Sequence, residues 1–156
     1  MGTSEELQEK IRTKILELLT LLGIEAEVET EDREGQLTFN IKSKDSRMLI
    51  GQYGQNLKAL QHIIRLLVRK NWTAEHEAPV FYLDVEGYRK SRQEFLAELA
   101  RKAAFRVRTT KQTLILKPMS SYDRRVIHMY LKDSTDLITE SIGEEPERRV
   151  VIKLKV

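Results

Sequence analysis

At 156 residues the chain has room for one domain or two small ones, and its 40% hydrophobic fraction is enough for a packed core. No apolar run approaches the roughly 18 residues of a transmembrane helix, which argues against membrane insertion, and zero cysteines exclude disulfides and thiolate metal sites while fitting a reducing interior. The net charge of +3 hides an asymmetry: residues 1–86 hold 11 Lys+Arg against 15 Asp+Glu, residues 87–156 hold 16 against 9, and residues 42–70 hold seven against Asp45 alone.

Positive charge gathered in two places is the footprint of a polyanion partner, with ordinary solvated surface as the plain alternative. His62, His76 and His128 lie far apart in sequence and lack metal-ligand spacing, so neither a metal nor a cofactor is expected. The acidic, polar opening MGTSEELQEK does not read as a secretory signal.

The first predicted element is a helix from Thr3 to Leu22. Leu7, Ile11, Ile15, Leu18 and Leu22 share a face, Thr3 and Glu6 form a capping box, and Gly23 marks the stop. Strict alternation over Ile24–Thr30 predicts a strand with Ile24, Ala26 and Val28 inward and Glu25, Glu27 and Glu29 outward. EDREG is the turn, and Leu37, Phe39 and Ile41 return as a second strand, giving a hairpin with one wet, acidic face. Such a face would repel a nucleic acid, which should bind elsewhere. Ser43, Asp45 and Ser46 are capping residues for a short helix ending at Gly51. A longer helix runs from Gly54 to about Asn71 on Leu57, Leu60, Ile64 and Leu67. After the break at Ala78-Pro79, Val80–Val85 reads as a third strand. The second unit begins near Gly87 with a long basic helix, Tyr88–Arg108, burying Leu96, Leu99, Ala103 and Val107. A strand at Thr113–Lys117, a helix capped by Ser120 or Ser121 and reaching about Lys132, and strands Leu137–Ile142 and Arg148–Val156 complete the chain.

Two of the seven glycines stand three apart in Leu49–Leu60, LIGQYGQNLKAL. Gly51 and Gly54 predict a tight corner between two helices, able to take positive φ and keeping no side chain between backbone and ligand. Gly54 opens a helix whose amide end suits a phosphate. Lys44, Arg47 and Lys58 would flank a nucleic-acid backbone there, with bases in an apolar groove of Ile41, Ile50 and Leu57. The plain alternative is a helix–helix turn. The segment resembles the signature of a KH domain, and the element order α-β-β-α-α-β matches its type II arrangement. The resemblance implies that Ile50, Gly51, Gln52, Tyr53, Gly54, Gln55 and Asn56, with Lys44, Arg47 and Lys58, clamp about four nucleotides of single-stranded RNA or DNA. The two middle positions often include a basic residue in that family. Here they are Gln52 and Tyr53, leaving a stack or hydrogen bond from Tyr53, or a weaker grip.

In SSYDRRVIHMYLKD, Arg124 and His128 lie four apart on one helix face. With the preceding basic helix and the ending SIGEEPERRVVI, this resembles the Arg-x-x-x-His (R-3-H) nucleic-acid-binding domain. The resemblance implies phosphate contact by Arg124 and His128, with one ring nitrogen of His128 held by the fold and the other facing phosphate. Arg125, Lys117, Arg148 and Arg149 would extend that surface. A pair that merely packs on the sheet is the alternative.

The combination, a type II KH domain over residues 1–86 and an Arg-x-x-x-His domain over residues 87–156 in an α+β chain, resembles the Jag family. That family implies a cytoplasmic bacterial RNA-binding protein linked to cell elongation, cell shape or sporulation. It also implies a small KH-domain protein or a second copy as partner, and an N-terminal Jag-N domain that this chain lacks, as a fragment or short form would. A protein-interaction module with incidental RNA contact is the second reading. An enzyme is not expected: no carboxylates are paired near His128 for a metal, and no nucleophile–base motif is evident.

Overall fold

The computed structural model describes residues 4–33, 35–70 and 79–155, which divide into two compact units, Met1–Arg89 and Lys90–Val156. The first holds helix α1 (Ser4–Leu21), strands β1 (Glu27–Arg33) and β2 (Gln36–Lys42), helix α2 (Ser46–Ile50), a 3₁₀ turn (Gln52–Gly54), helix α3 (Gln55–Lys70) and strand β3 (Tyr82–Val85). This is the expected α-β-β-α-α-β order. The sheet runs β1-β2-β3, with β1 antiparallel and β3 parallel to the central β2.

Phe39 and Ile41 of β2 and Leu83 and Val85 of β3 meet Ile11, Ile15 and Leu19 of α1 and Leu57, Leu60 and Ile64 of α3 in one core. Phe39 and Phe81 pack edge to face, with centroids 5.8 Å apart. The buried stripe of α1 is Ile11, Ile15, Leu19 and not one ending on Leu22, which is exposed because the helix stops at Leu21. The stop is a Schellman motif, in which Ile24 N–H donates to Leu19 O at 2.9 Å and Gly23 N–H to Thr20 O at 3.0 Å.

The hairpin departs from expectation in two ways. β1 begins three residues later than read and runs on to Arg33, so the expected turn residues Glu31, Asp32 and Arg33 belong to the ladder. Its wet face is also narrower. Thr38 and Asn40 of the middle strand are buried, because Asn40 accepts from Gly87 N–H and donates to Glu31. Glu25, Glu27 and Glu29 are not buried, as read. The expected side-chain cap of α2 is missing too: Asp45 sits at its N-cap without bonding a helix amide, and the Ser43 hydroxyl instead donates to Glu25 O.

The second unit continues helix α4 (Tyr88–Thr110) into strand β4 (Leu114–Ile115), helix α5 (Ser121–Leu131), β5 (Leu137–Ile142) and β6 (Arg149–Leu154). Its antiparallel sheet has the order β4-β6-β5. β4 is shorter than Thr113–Lys117: its ladder with β6 covers Leu114 and Ile115, and one further bond, from Leu116 N–H to Val150 O at 2.9 Å, follows before Pro118. Leu96, Ala100 and Val107 of α4, Ile127 of α5 and Val150 and Ile152 of β6 form the core. Ser120, one of the two serines read as caps, accepts from Asp123 N–H at 3.2 Å. The expected Thr3–Glu6 capping box and the boundary residues Asn71, Ala78 and Val156 fall outside the described residues.

Candidate nucleic-acid interface

The corner at 51–54 is built by backbone geometry that most side chains resist. Gly51 has φ 69° and ψ −175°, a region open essentially to glycine alone. Tyr53 (φ 53°) and Gly54 (φ 78°) follow in the left-handed region. The chain thus reverses sharply between α2 and α3, leaving Gln52 and Tyr53 exposed at the tip.

Both glycines also face protein. A Cβ on Gly51 would lie 2.5 Å from Asn56 Cγ, and one on Gly54 would lie 2.9 Å from Tyr88 Cε1. Asn56 uses its side chain to donate from Nδ2 to Met48 O at 2.7 Å, tying α3 back to α2 across the corner. The glycines therefore admit Asn56 and Tyr88 first, and the space beside their Cα atoms is not open surface as read. Next to Tyr88 the chain is anchored. Asp84 Oδ1 accepts from Arg89 N–H at 3.2 Å, and Arg89 donates to Leu83 O and to Gln61 Oε1.

Around the corner, Lys44, Arg47, Gln55 and Lys58 are exposed. The side chains of Lys44, Arg47 and Lys58 have no hydrogen-bond or ion-pair partner among the described residues. The expected apolar groove is different: Ile41 and Leu57 belong to the core, and only Ile50 is half-buried at its edge.

In the second unit Arg124 is buried, donating from Nη1 to Met119 O at 2.7 Å and pairing through Nη2 with Glu145 Oε1 at 2.8 Å. Half-buried His128 has both ring nitrogens engaged, Nδ1 with Thr139 Oγ1 at 2.7 Å and Nε2 with Ser141 Oγ at 2.8 Å. The nitrogen expected to face outward thus meets a hydroxyl, and the tautomer decides which group donates. Lys117 and Arg148 are exposed, while half-buried Arg149 is held by Glu147. Arg125 is exposed on a different side of α5 from buried Arg124, beside Tyr122 and Met129. One residue apart on a helix is about 100° of rotation, so the two arginines do not share a face.

Several partners escaped the sequence reading. Asp123 is buried and pairs with Arg92 Nη2 at 2.7 Å. Thr139 and Ser141 were detectable as hydroxyls two apart on a strand, which puts them on one face. Glu145 carried no such signal.

Burial, and secondarily the charge of Arg124, pushes the His128 pKa below 6.5. The folded unit then binds fewer protons there than the unfolded chain, so this contribution is complete above about pH 6.5 and is lost as pH falls. Calorimetry should give a lower midpoint for this unit near pH 5.5 than near pH 7.5, and His128→Gln should flatten the difference. An equally steep profile in the variant would assign it to other groups.

Among the described residues no helix is long and apolar enough to cross a membrane. Residues 94–154 match the family model of the R-3-H domain, the Arg-x-x-x-His domain. The chain is 38% identical over 134 residues to RNA-binding protein KhpB of Clostridium symbiosum, covering 86% of this chain and 59% of that one. It is 31% identical over 132 residues to RNA-binding protein KhpB of Bacillus subtilis, covering 83% and 62%, and 30% identical over 141 residues to that of Lactiplantibacillus plantarum, covering 90% and 43%. The chain thus spans about half the length of these relatives. Its matches run through both units and include the Arg124–His128 helix, and the chain belongs to the Jag (KhpB) family, with an Arg-x-x-x-His domain over residues 94–154.

Proposed function

We propose that the chain binds single-stranded RNA, with residues 1–86 acting as a KH domain whose 51–54 corner seats the backbone. The observation that carries this reading is the set of exposed cations, Lys44, Arg47 and Lys58, without partners among the described residues and flanking that corner. An exposed charge that neutralises nothing within its own fold is available to phosphate. The amide-rich turn and Tyr53 at its tip supply the nearby polar and stacking contacts. In residues 87–156 the Arg124–His128 motif, with Lys117, Arg148 and Arg149, forms a second phosphate surface. Two modest sites on one chain gain avidity where one strand reaches both. The names of the KhpB relatives agree with this reading, which places the protein in the cytoplasm with its RNA. The role is one of binding and not of catalysis: Asp123, five residues before His128, is buried and committed to Arg92.

Replacing Lys44, Arg47 and Lys58 together by alanine should weaken binding of a labelled 12-nucleotide RNA at least tenfold. It should also reduce the slope of log K against log salt by about 2, since each single-strand phosphate contact contributes roughly 0.7. The assay is fluorescence anisotropy at several salt concentrations, with single-stranded DNA as competitor. Unchanged affinity and slope would remove the corner from the interface.

A further inference from the structure

We propose that a groove between α4 and α5, on the side of α5 away from Arg124, is a stacking subsite for a base of the bound RNA. This rests on the RNA-binding reading above and adds a site outside both the glycine corner and the Arg124–His128 motif.

The groove holds about 420 Å³, within the roughly 300–1,000 Å³ of small-ligand clefts. Tyr122, Arg125, Met129 and Tyr130 of α5 line it opposite Gln93 and Ala97 of α4. Positions 122, 125 and 129 recur at three and four residues, so they form one stripe of the helix. That stripe is outward-facing, with Tyr122 and Met129 each 53% exposed, and Tyr130 beside it is 49% exposed. The buried residues of α5 are Asp123, Arg124, Ile127 and Leu131. Packing of this unit therefore leaves two tyrosines and a methionine at the surface, although its core is closed without them.

The chemistry favours a nucleotide. Aromatic side chains beside cations are the pattern that holds single strands, because every base has a face to stack and every nucleotide brings a phosphate. Arg125 lies in the groove, and no carboxylate lines it among the described residues; Arg101 of α4, within electrostatic reach of Tyr130, is already bonded to Glu98. An apolar protein face seated here would bury Arg125 without a counter-ion, a costly arrangement. A nucleotide would supply that counter-ion while its base lies on a tyrosine ring. Gln93 adds an amide able to donate and accept at a base edge.

The test uses the full chain and labelled 12-nucleotide oligouridylate and oligoadenylate. Tyr122→Ala and Tyr130→Ala should each weaken binding at least fivefold with the salt slope unchanged, because stacking releases no counterions. Tyr122→Phe and Tyr130→Phe should stay within about twofold, since the ring remains. Circular dichroism checks that these exposed substitutions leave the fold intact. Wild-type affinity in the alanine variants overturns the proposal while RNA binding itself stands. A wild-type chain that binds neither oligonucleotide overturns the RNA-binding reading as well. Light scattering without RNA supplies the remaining arm: a dimer that the alanine variants dissociate would make this face a contact between two copies and overturn the proposal.

Discussion

Gly51→Ala is expected to destabilise the N-terminal unit by about 3 kcal/mol, lowering its calorimetric midpoint by roughly 15 °C. Two costs add. At φ 69° and ψ −175° an alanine is forced into a region that disfavours any Cβ. That Cβ also lands 2.5 Å from Asn56 Cγ, so the amide must move and release its 2.7 Å bond to Met48 O. The contributions separate in a double-mutant cycle. Asn56→Ala alone removes the bond and costs about 1 kcal/mol. In Gly51→Ala/Asn56→Ala the collision is gone, and backbone strain and the missing bond remain, so the bond is lost once and not twice and the double variant should be about 1 kcal/mol less destabilised than the sum of the singles. Hydrogen exchange should localise the loss to peptides of α2 and α3. A Gly51→Ala chain within about 0.5 kcal/mol of wild type would mean the corner relaxes freely and Asn56 is not its latch.

This bears on how RNA binding is tested. A bulky or charged residue at Gly51 or Gly54 would weaken binding by disrupting the corner even if no ligand ever approached it. Replacing Lys44, Arg47 and Lys58, whose side chains bond nothing among the described residues, changes the charge and leaves the fold alone.

Elements with unbroken periodicity were legible in the sequence: α1, α3, α4 and the β5–β6 hairpin lie where apolar spacing put them, because local pattern and tertiary packing agree there. The glycine pair marked the corner, but the left-handed Tyr53 between them has no sequence signature. The groove expected from Ile41 and Leu57 failed for a related reason. Both are apolar residues near the corner, and only the assembled core shows that they are used there, Ile41 on β2 paired with β3 and Leu57 on the buried face of α3. Asp123 was read as a first-turn acid, correct for its backbone position but blind to Arg92, 31 residues earlier. The partners of Arg124 and His128 come from β5, from the turn after it and from the residue before the α5 cap, and helix spacing carries no information about any of them.

Arg124→Ala is expected to cost the C-terminal unit about 3 kcal/mol, so this motif is not a free surface pair that alanine removes without harm to folding. The side chain is 8% exposed, and its loss leaves the carbonyl of buried Met119 without its donor and empties the space of the guanidinium stem. Glu145 is different. Its carboxylate is 58% exposed, and an ion pair so open to water contributes at most about 1 kcal/mol. Arg124 thus has one firmly committed nitrogen, Nη1 on Met119 O, and one, Nη2, on a carboxylate that a phosphate can replace at little cost. If Nη2 serves RNA in this way, Glu145 competes with the ligand. Glu145→Ala should then tighten RNA binding about fivefold, or ~1 kcal/mol, with little change in stability. Glu144→Ala removes the same charge one residue away and controls for long-range attraction; it should change affinity less than about twofold. Equal gains from the two variants would make the effect one of net charge. No gain from Glu145→Ala, together with the full stability loss in Arg124→Ala, would assign Arg124 to holding α5 against Met119 and leave phosphate binding to the exposed Lys117 and Arg148.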